Sequence, residues 1–150
     1  MKLILIPFLS VFLMGLTYSQ KCIESHTGKY KVNLSATMDN LKKIEKEKGQ
    51  EIPEEHIEMM NVQLGQIELS INQDTLVMSV MGRSQKIPFL ARSNADGSSC
   101  DMVMQLTKEQ LPEGTKEVYM TIHSIDKNSI RLKSTGGSAD MDNYIWSKLE

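Results

Sequence analysis

Spacing motifs for metal or redox chemistry are missing from this chain. It has three histidines, His26, His56 and His123, but no His-x-x-x-His and no Cys-x-x-Cys. Zinc sites and thiol redox sites depend on such spacings. A nucleophile elbow of the type that exposes a catalytic serine is absent as well. We therefore expect no enzyme, no cofactor and no bound metal ion.

A basic excess is also missing. The chain has 17 Lys and Arg against 19 Asp and Glu, which gives a formal net charge of −2. Because no basic stripe is available to neutralise phosphates, we expect no nucleic-acid partner. Internal repeats and low-complexity segments are absent too, so the sequence predicts a single folded core.

No apolar run in the sequence is long enough to cross a bilayer. The run over residues 3–16 spans about 14 residues, or ~21 Å as a helix, against a hydrocarbon core of ~30 Å. Lys2 precedes it, and Thr17 and Ser19 follow at the positions that a signal peptidase reads. We expect a signal peptide over residues 1–19 and an exported domain, periplasmic or extracellular, over residues 20–150. A buried N-terminal helix is the alternative.

Two cysteines, Cys22 and Cys100, follow the predicted signal peptide. In an oxidising compartment one disulfide is the simplest pairing, with two free thiols or a redox pair as the alternative. Chain-entropy models value such a long closed loop at about 4 kcal/mol. Lys21 stands where a lipoprotein needs a small residue, so we expect no stable membrane anchor. A sequon at Asn33 leaves N-glycosylation open in a eukaryotic host.

A helix pair is predicted after a first strand. Residues 28–34 alternate apolar and polar side chains, which is typical of a half-buried strand. Ser35 or Thr37 would then cap a helix that ends at Gly49, and Pro53 would begin a second helix. The apolar positions at helical spacing in this second helix are Ile57, Met60 and Leu64.

From Gly65 onward the apolar residues recur with a period of two and are interrupted by turn-forming residues. Pro88 lies within one of these segments, where it indicates an edge or a bulge. The fold class predicted is mainly β, an eight-stranded antiparallel up-and-down barrel with the helix pair between strands one and two, because closure removes exposed edges. An open sheet with the helices packed across one face is the alternative.

The order of these elements resembles the calycin group, which comprises lipocalins and intracellular fatty-acid-binding proteins. Gly28-Lys29-Tyr30 resembles the Gly-x-aromatic of their first strand, although lipocalins usually carry Trp where Tyr30 stands. The helix pair is similar to the two helices that cover the barrel mouth in the fatty-acid-binding branch. Their C-terminal Arg-x-Tyr pair, which clamps a carboxylate, has only Tyr144 as a counterpart here. The resemblance implies a lipocalin-like barrel without a specific fatty-acid site.

The inward rows of such a barrel would be rich in methionine, whose flexible thioether suits an adaptable apolar cavity. An eight-stranded barrel is filled by its own side chains or encloses one small ligand. We expect the protein to bind or sequester an apolar small molecule in its interior. The alternative is a packed core in an interaction or inhibitor module that acts through the helix pair or the loops at 92–99 and 136–142. The candidate ligand-binding residues are Ile67, Leu69, Met78, Phe89, Met102, Met104, Met120, Ile122, Leu132 and Tyr144.

Two other chemistries depend on single histidines. His56, Met59 and Met60 share a helix face and form a plausible copper set, but the same face is needed for packing. Catalysis in the barrel mouth would require His26 or His123 to meet a carboxylate in a pocket.

Overall fold

The computed structural model describes residues 21–94, 99–111, 113–114, 116–135 and 139–150. The predicted signal peptide at 1–19 lies outside these residues. Parts of the loops at 92–99 and 136–142 lie outside them as well.

Eight antiparallel strands form a closed barrel, in which each strand pairs with its neighbours in the sequence and the first pairs with the last. Two helices lie between the first and second strands, so the predicted architecture is confirmed and the open-sheet alternative is wrong. The strands are β1 Gly28–Val32, β2 Ile67–Ile71, β3 Thr75–Val80, β4 Arg83–Ser93, β5 Cys100–Met104, β6 Tyr119–Ser124, β7 Ser129–Thr135 and β8 Ile145–Lys148. The helices are α1 Leu34–Glu47 and α2 Glu54–Leu64, and a 3-10 helix, Ala139–Asn143, precedes β8.

The alternation in the sequence sets which side chains face inward. Tyr30 of β1 stands opposite Leu69 of β2, and both are buried. One residue further along, Lys31 stands opposite Glu68, and their side chains form an exposed ion pair of 3.1 Å. Because successive side chains of a strand point to opposite faces, this alternation produces one apolar interior and one polar exterior.

Pro88 marks the point at which β4 changes partners. Residues 83–88 pair with β3, whereas the ladder with β5 begins at Phe89. Proline has no N–H to donate, so it fits at this junction between two ladders. The edge predicted at Pro88 therefore corresponds to the first half of β4, which pairs with β3 and not with β5.

The cap of α1 differs from the prediction of Ser35 or Thr37. Asn33 is the N-cap, and its Oδ1 accepts a hydrogen bond from the Ala36 N–H at 3.0 Å. Its Nδ2 donates to Ser147 Oγ at 3.1 Å, which ties the start of the helix to β8. A glycan on this sequon would be attached to the same nitrogen, so the fold uses Asn33 in a way that competes with glycosylation.

Thr37 holds α1 against the barrel instead of capping it. Its hydroxyl accepts a hydrogen bond from the Ile145 N–H at 3.0 Å and lies 3.4 Å from the Ile145 carbonyl oxygen. One turn further along, Asn40 Nδ2 donates to the Asn143 carbonyl oxygen at 3.0 Å. The first half of α1 is therefore attached to β8 and its approach.

The second helix is attached more weakly. Pro53 is its N-cap residue, one position earlier than predicted, and Glu54 and Glu55 occupy the first turn. Acidic side chains are favourable there because the helix N-terminus carries partial positive charge. Leu64 is the buried residue of this helix, whereas Met59 and Val62 are exposed.

The barrel has two different ends. The end that carries the helices, the β3–β4 turn and residues 105–111, 113–114 and 116–118 is called the helix end. The opposite end, called the disulfide end, carries residues 21–27 and the turns after β2 and β6. There a disulfide joins Cys22 to Cys100, 78 residues apart, so the predicted pairing is confirmed and the free-thiol alternative is wrong. Ile23, beside this bond, is 0% exposed and closes the end.

Candidate functional site

The ten predicted ligand-binding residues pack in one apolar cluster. Six are buried, namely Leu69, Phe89, Met102, Met104, Ile122 and Leu132, and four are half-buried, namely Ile67, Met78, Met120 and Tyr144. The strand register places Leu69 opposite Met78, Phe89 opposite Met104, Met102 opposite Met120 and Ile122 opposite Leu132. Tyr144 precedes β8 and is not on a strand. The structure thus brings these residues together, and their contact with a ligand stays a prediction.

Two larger aromatic residues of the interior are missing from that predicted set. Trp146 and Tyr30 are the largest fully buried side chains that the structure describes. Val32, next to Tyr30 on the inward face, stands opposite Trp146. The ring centroids of Tyr144 and Trp146 lie 6.4 Å apart, with the planes tilted by 58°. The alternation in the first and last strands was the signal for both residues.

The polar atoms of these two aromatic residues differ in hydrogen bonding. The Tyr30 hydroxyl donates to the His26 carbonyl oxygen at 2.8 Å, and burial raises the pKa of this phenol above its ordinary value of 10.0. The Trp146 Nε1–H, in contrast, is buried with no acceptor among the described residues. A buried donor left unpaired costs about 1–3 kcal/mol, so this indole is available to an acceptor that enters the interior.

The helix end has an open cavity at the tip of the β3–β4 hairpin. Its volume is about 650 Å³, and its lining residues are Met78, Val80, Met81, Arg83, Ser84 and Gln85. Met78 stands opposite Gln85 on the inward face that also carries Leu69. Met81 is 64% exposed and adopts a positive φ of 51° in the turn. The cavity is therefore lined by apolar residues from β3 and its turn and by polar residues from β4.

A second cavity of about 510 Å³ lies between the two helices. His56, Met59 and Met60, the three residues of the copper set, all line it, together with the carboxylate-bearing Glu45 and Glu51. The part of the chain that the structure describes contains no group of three or more His, Cys, Asp or Glu side chains placed to hold a metal ion. This groove therefore offers two thioethers, one imidazole and two carboxylates, and copper binding there stays a prediction.

A third cavity, of about 210 Å³, lies at the disulfide end. His26 lines it with Ser124 and Asp126, so the structure places His26 and a carboxylate around one pocket. His26 Nε2 lies 2.9 Å from Ser124 Oγ, and Asp126 accepts a hydrogen bond from the Asn128 N–H at 2.7 Å. His123 is exposed on the outer face, opposite Arg131. His26 therefore lines a pocket together with a carboxylate.

In the described part of the chain, neither helix has the length and apolar character needed to cross a membrane. The disulfide fits a protein that resides outside a reducing cytoplasm. No protein family, no curated protein and no solved structure matches the chain.

Proposed function

We propose that this protein is an exported, calycin-like barrel that binds or sequesters a small apolar molecule carrying a hydrogen-bond acceptor. The observation that carries the proposal is the indole of Trp146, which is 0% exposed and has an unpaired N–H among the described residues. The surrounding interior is apolar and supplies the area that a ligand would bury. Binding sites for small molecules typically combine such walls with a few polar groups that orient the ligand.

In this proposal the ligand enters at the helix end. Ile67, Met78 and Met120 are inward residues that stay half-buried, and Met78 lines the 650 Å³ cavity at the mouth. Methionine changes shape at little cost, so these side chains can move aside for a ligand. The disulfide end is closed by the buried Ile23 and by the covalent bond beside it. Entry there would require a tightly packed segment to leave.

Trp146 is the only tryptophan in the sequence, so its fluorescence reports directly on the interior. We would titrate the disulfide-bonded protein with a long-chain methyl ketone and with the alkane of equal length. Both should shift the emission, and the ketone should bind about tenfold more tightly, since one hydrogen bond is worth about 1.4 kcal/mol here. Native mass spectrometry and solvent extraction of the purified protein would identify a retained ligand.

The matched variant is Trp146→Phe, which keeps an aromatic ring of smaller volume and removes the donor. With binding followed by displacement of a fluorescent apolar probe, this variant should lose the preference for the ketone and keep the affinity for the alkane. A protein that carries no extractable ligand and binds neither compound would contradict the proposal. Equal affinity of both compounds for the unmodified protein would contradict the role of Trp146.

A second candidate function, an interaction or inhibitor module, is favoured by α2. Met59 is 52% exposed and Val62 is 64% exposed on this helix, and Met59 also lines the groove between the helices. A photo-crosslinker at Val62 should label a protein partner in the native secretions, whereas one at the exposed Lys42 of α1 should not. Equal labelling from both positions would contradict this function and leave the ligand-binding proposal untouched.

A further inference from the structure

At the disulfide end, a serine, a histidine and a backbone carbonyl are joined by successive hydrogen bonds. Ser124 Oγ lies 2.9 Å from His26 Nε2, and His26 Nδ1 lies 2.8 Å from the Cys22 carbonyl oxygen. Ser124 and His26 are 98 residues apart in the sequence. The fold of the barrel, rather than a local motif, brings them together.

The partners of the imidazole determine where its proton lies. His26 Nδ1 also lies 3.0 Å from Ser25 Oγ, and the Ser25 hydroxyl donates to the Cys22 carbonyl oxygen at 3.2 Å. Because a carbonyl oxygen has lone pairs and no hydrogen, we assign the ring proton to His26 Nδ1, between these two oxygens. In the neutral ring Nε2 then carries the lone pair, and the Ser124 hydroxyl donates to it. This is the arrangement in which a histidine removes a proton from an attacking serine while a third group holds the ring.

The structure also holds this arrangement in place. Cys22 is bonded to Cys100 of β5, and the His26 N–H donates to the Ile23 carbonyl oxygen at 2.8 Å. The His26 carbonyl oxygen accepts the hydrogen bond from the Tyr30 hydroxyl. Ser124 is the last residue of β6, where it stands opposite Ile130 of β7. Both reacting side chains therefore extend from segments that are fixed by covalent or backbone bonds.

We infer that Ser124 is a nucleophile that accepts acyl groups from small esters, with His26 as its general base. Ser124 Oγ forms a bond to the ester carbonyl carbon, and its proton passes to His26 Nε2. The bond from that carbon to the leaving oxygen breaks, and the imidazolium returns the proton to the leaving alcohol. Water then hydrolyses the acyl-serine with the same histidine as base and releases a carboxylic acid.

The cavity limits the substrate to small acyl groups. Its 210 Å³ is below the ~300–1,000 Å³ of sites for drug-sized ligands. Lys127 and Asn128 line it beside Ser124. Asp126 lines the same cavity, and Lys127 is the lining residue whose ammonium would stabilise the oxyanion that forms as the carbonyl is attacked. This site lies at the opposite end from the proposed ligand entrance and is independent of the ligand-binding proposal.

The test is reaction of the full, disulfide-bonded protein with diisopropyl fluorophosphate, in which Ser124 Oγ displaces fluoride from phosphorus. Peptide mapping by mass spectrometry should place the adduct on Ser124. The His26→Gln variant should react on the order of 100-fold more slowly, because a positioned base contributes factors of this size. The control is Ser79, whose hydroxyl lies 2.7 Å from Ser84 Oγ without a histidine and should remain unlabelled.

Hydrolysis of p-nitrophenyl acetate provides a second measurement on the same proteins. Ser124→Ala should abolish the hydrolysis, whereas Ser79→Ala should hydrolyse the ester at the rate of the unmodified protein. The far-ultraviolet circular dichroism and the Trp146 emission of both variants should stay unchanged. An adduct on Ser25, which also contacts His26, would overturn the inference, as would an adduct on Lys127, an adduct on Ser79 equal to that on Ser124, or no adduct at all. In those cases the hydrogen bonds of His26 would serve only to fasten residues 21–27 to the barrel.

Discussion

The two ends of the barrel are held by different kinds of interaction. At the disulfide end, a covalent bond, a buried isoleucine and a chain of hydrogen bonds through His26 fix the segment 21–27. At the helix end, α1 is attached to the approach of β8 through Asn33, Thr37 and Asn40, while α2 is largely exposed. Local opening needs least free energy where few buried contacts hold a segment. The comparison therefore separates a rigid end, suited to a fixed geometry, from an end that can open.

The largest effect is expected from removing the disulfide. The Cys22→Ala/Cys100→Ala double variant should lose about 4 kcal/mol in its free energy of unfolding, because the bond closes a loop of 78 residues. Urea denaturation of the variant and of the oxidised protein measures the difference. If the two proteins unfolded at the same urea concentration, the disulfide end would owe its rigidity to packing alone.

Core truncations along β3 should reveal the same difference between the ends. Leu76 is fully buried in the half of β3 near the disulfide end, and Met78 is half-buried near the mouth. Leu76→Ala should cost about 3 kcal/mol, since a buried leucine loses 2–5 kcal/mol on truncation. Met78→Ala should cost about 1 kcal/mol, because less apolar area leaves water there. Equal losses in thermal unfolding would show that the mouth is packed as tightly as the closed end.

The attachment of α1 should depend on the Thr37 hydroxyl. Thr37→Val keeps the shape and leaves the Ile145 N–H without its bond, which should cost about 1–3 kcal/mol. Hydrogen exchange at the Ile145 amide should accelerate accordingly. Ser35→Ala, on the exposed side of the same helix, is the matched control and should leave that exchange rate unchanged. Equal acceleration in both variants would mean that α1 is loose regardless of this contact.

The smallest effect is expected at the helix cap. Asn33→Ala should lower the free energy of unfolding by about 1 kcal/mol, the usual value for a lost N-cap. Asn33→Asp keeps an oxygen for the Ala36 N–H and should recover most of that loss in chemical denaturation. If Asn33→Asp did not recover stability, the loss would come from the hydrogen bond between Asn33 Nδ2 and Ser147 rather than from the cap.

The features that the sequence predicted are those that depend on local patterns. A period of two with turn residues between the strands predicted the barrel, and helical spacing from Met38 to Leu64 predicted the helix pair. The disulfide was predicted because two cysteines allow only one intramolecular pairing. The inward row from Ile67 to Leu132 follows from the same alternation, because inward and outward residues are fixed once the strands are placed.

The features that the sequence did not predict depend on contacts between distant segments. The hydrogen bond from Ser124 to His26 spans 98 residues and requires the register of β6 and the position of residues 21–27. Thr37 was predicted as a helix cap, but it is buried against β8. Its partner there, Ile145, lies 108 residues away in the sequence. The Trp146 Nε1–H, which has no acceptor in the described part of the chain, is likewise a property of the assembled interior. Composition carries no information about such distances.

The change of partner at Pro88 has a mechanical consequence for the barrel. The five residue pairs between β4 and β5 all lie from Phe89 onward. The first half of β4 is therefore held by its pairing with β3, and the second half by its pairing with β5. A proline at this point costs no ladder hydrogen bond and stiffens φ there. The support of β4 thus passes from one neighbouring strand to the other along its length, from β3 near the helix end to β5 near the disulfide end, where the serine and histidine lie.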